Sequence, residues 1–318
     1  MNPIGGYFEM ELNNGAEYHK NAIKLNTGRN AFEYILLARN YKKVYIPYYT
    51  CDVLLEPIIR NNISYEFYSI DHCLYPILDF SSIKKDEVIL YTNYFGLNDL
   101  NVSAVIKEKA NVIIDNAQAF YSKPIPNIDT FYSPRKFFGL PDGAYLYTNQ
   151  VLDSHFEIDI SIDRFRHLLG RIDLGPEATF SEYKTADSSL TNQPIKIMSK
   201  LTSKLLNNIN YQFVKDRRRA NYEILHKELK NKNQLKLKLN NDATPMVYPF
   251  LADQGTLLKK QLIKNKIFVA TYWSNVVEWA APNSLESSLA NNLIPLPLDQ
   301  RITSNQALSI LSLINKNA

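Results

Sequence analysis

Apolar and polar positions follow two alternating rhythms over the first half of the chain. In "TGRNAFEYILLARN", residues 27–40, Ala31, Tyr34, Ile35 and Ala38 fall three or four apart, which predicts a helix. Thr27 and Gly28 stand where its N-cap belongs. "KKVYIP" follows as a short buried strand stopped by Pro47, and "TCDVLLEPIIRNN" as a helix that Pro57 can kink. "SYEFYSI" alternates as a strand, and "DEVILYTNYFG" is an apolar strand running to a glycine. "NVSAVIKEKA" is helical, and "NVIIDNAQAF" is a buried strand followed by a turn. "TFYSPRK" and "GAYLYTN" read as two further short strands. Strands alternating with helices predict an α/β fold with a doubly wound, mainly parallel sheet.

The rhythm changes near residue 150. Residues 151–195 read as irregular and polar, and one long helical pattern runs from Ile197 to Leu229. From "PMVYPFLAD" onward the pattern alternates again, and it closes on a helix, "SNQALSILSLINK". These shifts predict a large α/β domain over 1–195, a helical connector over 196–235 and a smaller α+β domain over 236–318.

Composition narrows the classes. The chain has 318 residues and is 45% hydrophobic, enough for a sizeable core. No window approaches the roughly 18 apolar residues of a membrane span. The opening "MNPIGGYFEMELNN" lacks the basic and apolar regions of a secretory signal. Cys51 and Cys73 are the only cysteines, too few for a disulfide framework or a zinc pattern. A cytoplasmic protein with reduced thiols and no metal is the expectation. A net charge of +4 is well short of a nucleic-acid footprint. The densest basic run, residues 215–239, fits the solvated face of a helix.

Ligands of open α/β sheets bind outside the carboxyl ends of the strands. The polar residues expected there form a chemically coherent set. Thr27, Gly28 and Arg29 open a helix, whose free N–H groups and dipole suit a phosphate. Asp115 ends the strand "NVIID", where a carboxylate can hold a protonated ring nitrogen, and Gln118 lies three residues on. Lys136 sits in "FYSPRKFFGLPDGAY", flanked by Phe137, Phe138 and Leu140, which read as core. A lysine in a partly apolar setting shifts toward the neutral, nucleophilic amine. Phosphate, pyridinium and aldehyde are the three handles of pyridoxal 5′-phosphate.

The order of these motifs resembles the DegT/StrS-type sugar aminotransferases, which share the aspartate-aminotransferase fold (fold type I). The resemblance rests on "TGRNAF" (27–32), "PYYTC" (47–51), "TNYFG" (92–96), "IDNAQA" (114–119), "KFFGLPDGA" (136–144) and "IPLPLDQR" (294–301), and it spans most of the chain. It implies a large domain with a mainly parallel, seven-stranded-type sheet and a smaller α+β C-terminal domain. It implies that Lys136 forms the Schiff base with pyridoxal phosphate and then moves the proton in transamination. Asp115 would pair with the pyridine nitrogen, Gln118 would lie beside the ring, and Thr27, Gly28 and Arg29 would cradle the phosphate. On this resemblance the rings around Lys136 keep water out. The implied substrates are an amino acid, glutamate by default, and a keto-sugar carried on a nucleoside diphosphate, in surface-polysaccharide or related glycan biosynthesis. A homodimer is implied as well.

The chain departs from the family pattern in places. Phe131 stands five residues before the lysine, where the family has a phosphate-binding serine; Ser133 is the nearest substitute. Cys51 replaces a ring-stacking aromatic, which leaves Tyr49 or Tyr94 for that face, and Ala144 replaces a glycine. The family's "N-Y-R" segment is not recognisable. Arg135, Arg164, Arg166 and Arg171 are candidates for carboxylate or diphosphate contacts. "TYWSN", 271–275, reads as core of the smaller domain rather than a substrate loop. Three other readings stand beside this one. The first, a sugar dehydratase, would replace the lysine with histidine. The second is a binding or regulatory protein that kept the fold. The third, a dinucleotide-binding protein, would need a G-x-G-x-x-G after the first strand.

Overall fold

The structure is a computed structural model and describes residues 4–237 and 239–317. Strand β1 (Ile23–Leu25) leads directly into helix α1 (Gly28–Arg39). Thr27 is the N-cap: its hydroxyl accepts from the Asn30 amide at 3.2 Å, which satisfies one of the free donors of the first turn. Asn40 ends the helix in the left-handed conformation that asparagine tolerates. The chain continues through β2 (Lys43–Pro47), α2 (Leu55–Arg60) and β3 (Ser64–Ile70). Next come β4 (Pro76–Ile77), β5 (Glu87–Thr92), α3 (Asp99–Ile106) and β6 (Val112–Asp115). Pro57 lies in the first turn of α2, where its missing N–H costs nothing.

β7 (Asp129–Tyr132) and β8 (Ala144–Tyr147) complete an eight-stranded sheet in the order β1-β8-β7-β6-β5-β2-β3-β4. Strands β2, β3, β5, β6 and β7 run parallel, while β1, β4 and β8 pair antiparallel with their neighbours. The count is eight rather than seven, and one edge is the two-residue β4. One face carries Val44, Ile46, Val88, Leu90, Ile113 and Phe131 against Phe32, Ile35 and Leu36 of α1. Burying each such side chain contributes about 1.5–3 kcal/mol. The opposite face carries Tyr45, Ile89, Tyr91, Ile114, Tyr132 and Tyr145 in a second, aromatic-rich core.

Residues 151–195 are not wholly irregular. They contain two short helices, α4 (Arg166–Asp173) and α5 (Phe180–Ser188), whose exposed apolar positions obscure the helical period. The single long pattern from Ile197 to Leu229 is two helices, α6 (Lys200–Asn207) and α7 (Tyr211–Leu229). The break falls at Asn210, whose side chain accepts from the Phe213 amide and starts a new helix. The remaining elements are β9 (Tyr248–Leu251), α8 (Gly255–Lys264), α9 (Val276–Trp279), α10 (Leu285–Asn292), β10 (Leu293–Leu296) and α11 (Ser304–Asn317). β9 and β10 form a separate antiparallel pair. Among the described residues no helix is long and apolar enough to cross a membrane, and no group of three His, Cys, Asp or Glu is placed to hold a metal.

Candidate active site at the carboxyl edge of the sheet

The parallel strands β2, β5, β6 and β7 all end on one edge, so the loops after Pro47, Thr92, Asp115 and Tyr132 gather there. The turn before α1 joins them. A Cβ placed on Gly28 would lie 3.7 Å from the Cβ of Ser133 and 3.8 Å from the Phe131 ring. Among the described residues the amides of Gly28 and Arg29 have no acceptor, as the start of a helix dictates. Thr27 spends its hydroxyl on Asn30, and the Arg29 guanidinium is paired with Glu56 at 2.6 Å. What this turn presents is therefore backbone N–H, with the Ser133 side chain alongside. Phe131 is buried in β7 and packs on Phe32, so it has no polar role.

Asp115 closes β6 and is only 6% exposed. Its Oδ1 accepts from the Ala117 amide at 2.7 Å. Burial pushes its carboxyl up to about 6, opposed by that hydrogen bond and by the charge of Lys136. Lys136 therefore acts electrostatically on the carboxyl end of β6. It acts on Cys51 too: burial raises that thiol and Lys136 pulls it down. The reason Lys136 points here is local. Pro134 opens a 3₁₀ turn over Pro134–Lys136, and the Lys136 amide donates to the Ser133 carbonyl at 3.1 Å. Phe137 and Phe138 then turn inward onto Phe120, at ring separations of 5.7 and 5.0 Å. The lysine side chain is left outside: it is exposed rather than enclosed by the flanking rings. The apolar flanks anchor the loop instead of sheltering the amine.

Gln118 is buried, and its Oε1 accepts from the Phe95 amide at 2.8 Å. Among the described residues its Nε2 is buried with no partner. The turn it grips is unusual, since Phe95 and Gly96 both have positive φ, 60° and 69°. A Cβ on Gly96 would meet the Thr244 carbonyl at 2.7 Å, so glycine is required there. Tyr49 is fully buried between Tyr94, at 5.6 Å, and Trp273, at 5.1 Å. Among the described residues its hydroxyl has no hydrogen-bond partner. Tyr94 donates its hydroxyl to the Tyr49 carbonyl, which ties the loops after β2 and β5 together. In "TYWSN", Tyr272 and Trp273 are half-buried, and Asn275 donates to the Thr50 carbonyl beside Cys51.

The arginines separate. Arg135 pairs with Asp187 and Arg164 with Asp159, while Arg166 and Arg171 are exposed. Sequence reasoning missed Arg218 of α7, which is 2% exposed. Its guanidinium donates to the carbonyls of Pro245, Met246 and Phe137 and lies 4.5 Å from the Phe137 ring centre. Gln300 donates to the same Phe137 carbonyl at 2.9 Å. The residue after Lys136 is thus held from two sides. Asp142, at the far end of the loop, is fully buried and accepts from the Ser199 amide, the Ser199 hydroxyl and the Thr202 hydroxyl. It fixes the loop to the start of α6.

A cavity of about 280 Å³ around Asn93, Asp99, Asn116 and Lys215 is a different place. Its lining includes Ile114 and Thr130, whose side chains alternate with those of Asp115 and Phe131, so it opens on the other face of the sheet. The polar groups of Asn93, Asp99, Asn116 and Ser122 there bond to one another.

No family model and no curated protein matches the sequence. Solved structures match over nearly the whole chain. Sugar aminotransferase CalS13 from Micromonospora echinospora superposes with a TM-score of 0.65 at 16% identity, over 93% of this chain and 87% of its own. A DegT DnrJ EryC1 StrS aminotransferase from Brucella abortus does so at 0.61 and 16%, over 93% and 85%. The PLP-form of the putative sugar aminotransferase Spr1654 from Streptococcus pneumoniae gives 0.61 and 13%, over 93% and 87%. The chain has the fold of these enzymes.

Proposed function

We propose that this protein is a pyridoxal-phosphate-dependent aminotransferase acting on a sugar. One observation carries the reading. The buried Asp115 and the exposed Lys136, which interact electrostatically, share a sheet edge with the open amides of Gly28 and Arg29 and the Ser133 side chain. The cofactor fits this set. Its phosphate matches the helix start and Ser133, its ring nitrogen matches Asp115, and its aldehyde matches Lys136. The unpartnered Nε2 of Gln118 and hydroxyl of Tyr49 are buried donors of the kind a bound ligand satisfies. The enzymes of the same fold named above support the reading.

When bound, the cofactor supplies a carbonyl that accepts and returns amino groups and a ring that withdraws electrons. The protein does the rest. Gly28 and Arg29 bind phosphate through N–H groups, with Ser133 adding a hydroxyl. Asp115 keeps a proton on the ring nitrogen. With the cofactor bound, Lys136 would take the proton from the donor α-carbon and, in the second half-reaction, would deliver a proton to the carbon that receives the amine. Its exposure leaves room for that movement. Gln118 orients the ring from the side.

The finer reading has glutamate as donor and a nucleoside-diphosphate-linked keto-sugar as acceptor, in glycan biosynthesis in the cytoplasm. The division at residues 195 and 235 belongs to this reading. So does a homodimer, for which Ile160, Ile162, Ile172 and Leu174 offer an apolar surface, each 69–81% exposed. The test is absorbance of the purified protein with added cofactor, before and after glutamate and other amino donors. A visible band that an amino donor bleaches supports the aminotransferase. A protein that takes up no cofactor is the binding protein that kept the fold.

A further inference from the structure

Helix α4 and the loop between β10 and α11 meet the lysine loop from two sides. A Cβ placed on Gly139 would lie 3.4 Å from the Leu168 side chain of α4. Arg171, three residues on, shares that helix face. From the other side Gln300 donates to the Phe137 carbonyl at 2.9 Å, and Arg301 follows it. Arg171 and Arg301 therefore flank the same short stretch, and both are exposed. They feel one another: burial and then the charge of Arg301 lower the Arg171 guanidinium. Buried Arg218 joins them, since Arg301 adds to the lowering that burial causes there. Asp299 acts on all three arginines, and Arg301 already grips it with Nε and Nη2, each at 2.8 Å. Arg218 bonds to carbonyls, which satisfy its donors without offsetting its charge. Three guanidinium groups thus meet one carboxylate. Among the described residues Nη1 of Arg301 and the whole Arg171 guanidinium make no hydrogen bond.

We propose that Arg171 and Arg301 form an anion subsite that takes the diphosphate of the acceptor substrate. Planar forks with free N–H groups and surplus positive charge are what phosphate oxygens complete. A doubly esterified diphosphate offers one charge on each phosphoryl group, which answers the guanidinium charge that Asp299 leaves unmatched. A carboxylate offers a single charge, and a bare sugar none. The stretch that the two arginines flank, Phe137 to Gly139, directly follows Lys136, so a molecule anchored here has its sugar end beside the lysine loop. That a diphosphate binds here stands on the geometry; that it belongs to the acceptor sugar rests on the function proposed above.

The test is calorimetric titration of inorganic pyrophosphate into wild type, Arg171→Gln, Arg301→Gln, Arg166→Gln and Ser133→Ala. The expected result is saturable binding by wild type that weakens about tenfold in each of Arg171→Gln and Arg301→Gln. Arg166→Gln, at an exposed arginine of the same helix, is expected to leave it unchanged. Inorganic phosphate is expected to bind wild type about tenfold more weakly than pyrophosphate. Arg171 holds no other side chain in place, so its variant keeps the test decisive if Arg301→Gln, which releases Asp299, packs poorly. Pyrophosphate binding that is absent from wild type, or unchanged in Arg171→Gln, overturns the proposal. So does a loss that follows Ser133→Ala and not the arginine variants, because it puts the ion at the start of α1. Uptake of pyridoxal 5′-phosphate is read separately by absorbance. A protein that binds pyrophosphate through both arginines and takes up no cofactor keeps the anion subsite and loses the function proposed above.

Discussion

Gly28 and Ser133 meet across the edge of the sheet. They belong to elements 105 positions apart in the chain, yet a side-chain carbon on Gly28 would touch the Cβ of Ser133 at 3.7 Å. This contact brings the first helix of the fold to the loop that carries Lys136. It makes Ser133 the side chain proposed to stand in for the serine missing at Phe131. Ser133→Ala is expected to weaken cofactor binding about tenfold with little change in stability, as removal of one hydrogen bond to a charged group does. Gly28→Ala should act in opposite directions on the two readouts. It raises stability by about 0.5–1 kcal/mol in a helical position free of clash, and it weakens binding by intruding between the amides and the ligand. Fluorescence titration and denaturant unfolding check both.

Asp115 sets a dependence on pH. Its carboxyl rises from 3.8 to about 6 in the folded protein because it is buried. Near pH 4 and below, folded and unfolded chains both hold the proton. Above pH 6 neither does. In between only the folded chain holds it, so stability falls as pH rises through that window. The penalty at neutral pH is about 3 kcal/mol. Asp115→Asn is therefore expected to stabilise the cofactor-free protein at pH 7 by up to that amount. The difference from wild type should vanish near pH 4. The same variant should lose turnover. Urea unfolding of both proteins at pH 4, 5, 6 and 7 measures the difference.

Much of this arrangement is legible in the sequence because it depends on local signals. The spacing in residues 27–40, the apolar run into Asp115 and the short strands around Lys136 each have one reading that agrees with its neighbours. What was not legible depends on tertiary context. The long pattern from Ile197 to Leu229 hides a break because the cap at Asn210 looks like any polar helix residue. α4 and α5 are obscured because Ile172, Leu174 and Phe180 are exposed where a lone helix would bury them. The exposure of Lys136 is not legible in its sequence because buried flanks do not imply a buried centre: one 3₁₀ turn sends Phe137 inward and the lysine out. Arg218 gave no signal at all, since a buried arginine within "KDRRRANYE" resembles its solvated neighbours.

Arg218 is a second point of control over the lysine loop. Burial lowers its guanidinium to about 10, and its hydrogen bonds go to carbonyls rather than to an acid. Arg218→Met is expected to cost about 3 kcal/mol, because three buried carbonyls lose a donor. It should also weaken cofactor binding by loosening Phe137, the residue beside Lys136. Denaturant midpoints and binding constants of Arg218→Met and Gln300→Ala separate the two effects. Gln300 shares the Phe137 carbonyl but is only half-buried, so it should affect binding more than stability.

Asp142 ties the other end of that loop. With three donors on one buried carboxyl group, Asp142→Ala is expected to cost about 2–4 kcal/mol in unfolding experiments, and Asp142→Asn less. An unchanged unfolding midpoint in Asp142→Ala would show that the loop is held by other contacts.

Lys136 is the residue proposed to take the cofactor. The direct measurement is reduction of the protein with borohydride in the presence of pyridoxal 5′-phosphate, followed by peptide mapping by mass spectrometry. The expected result is a single phosphopyridoxyl adduct on Lys136, absent from Lys136→Ala. An adduct spread over surface lysines, or no adduct in wild type, would contradict it.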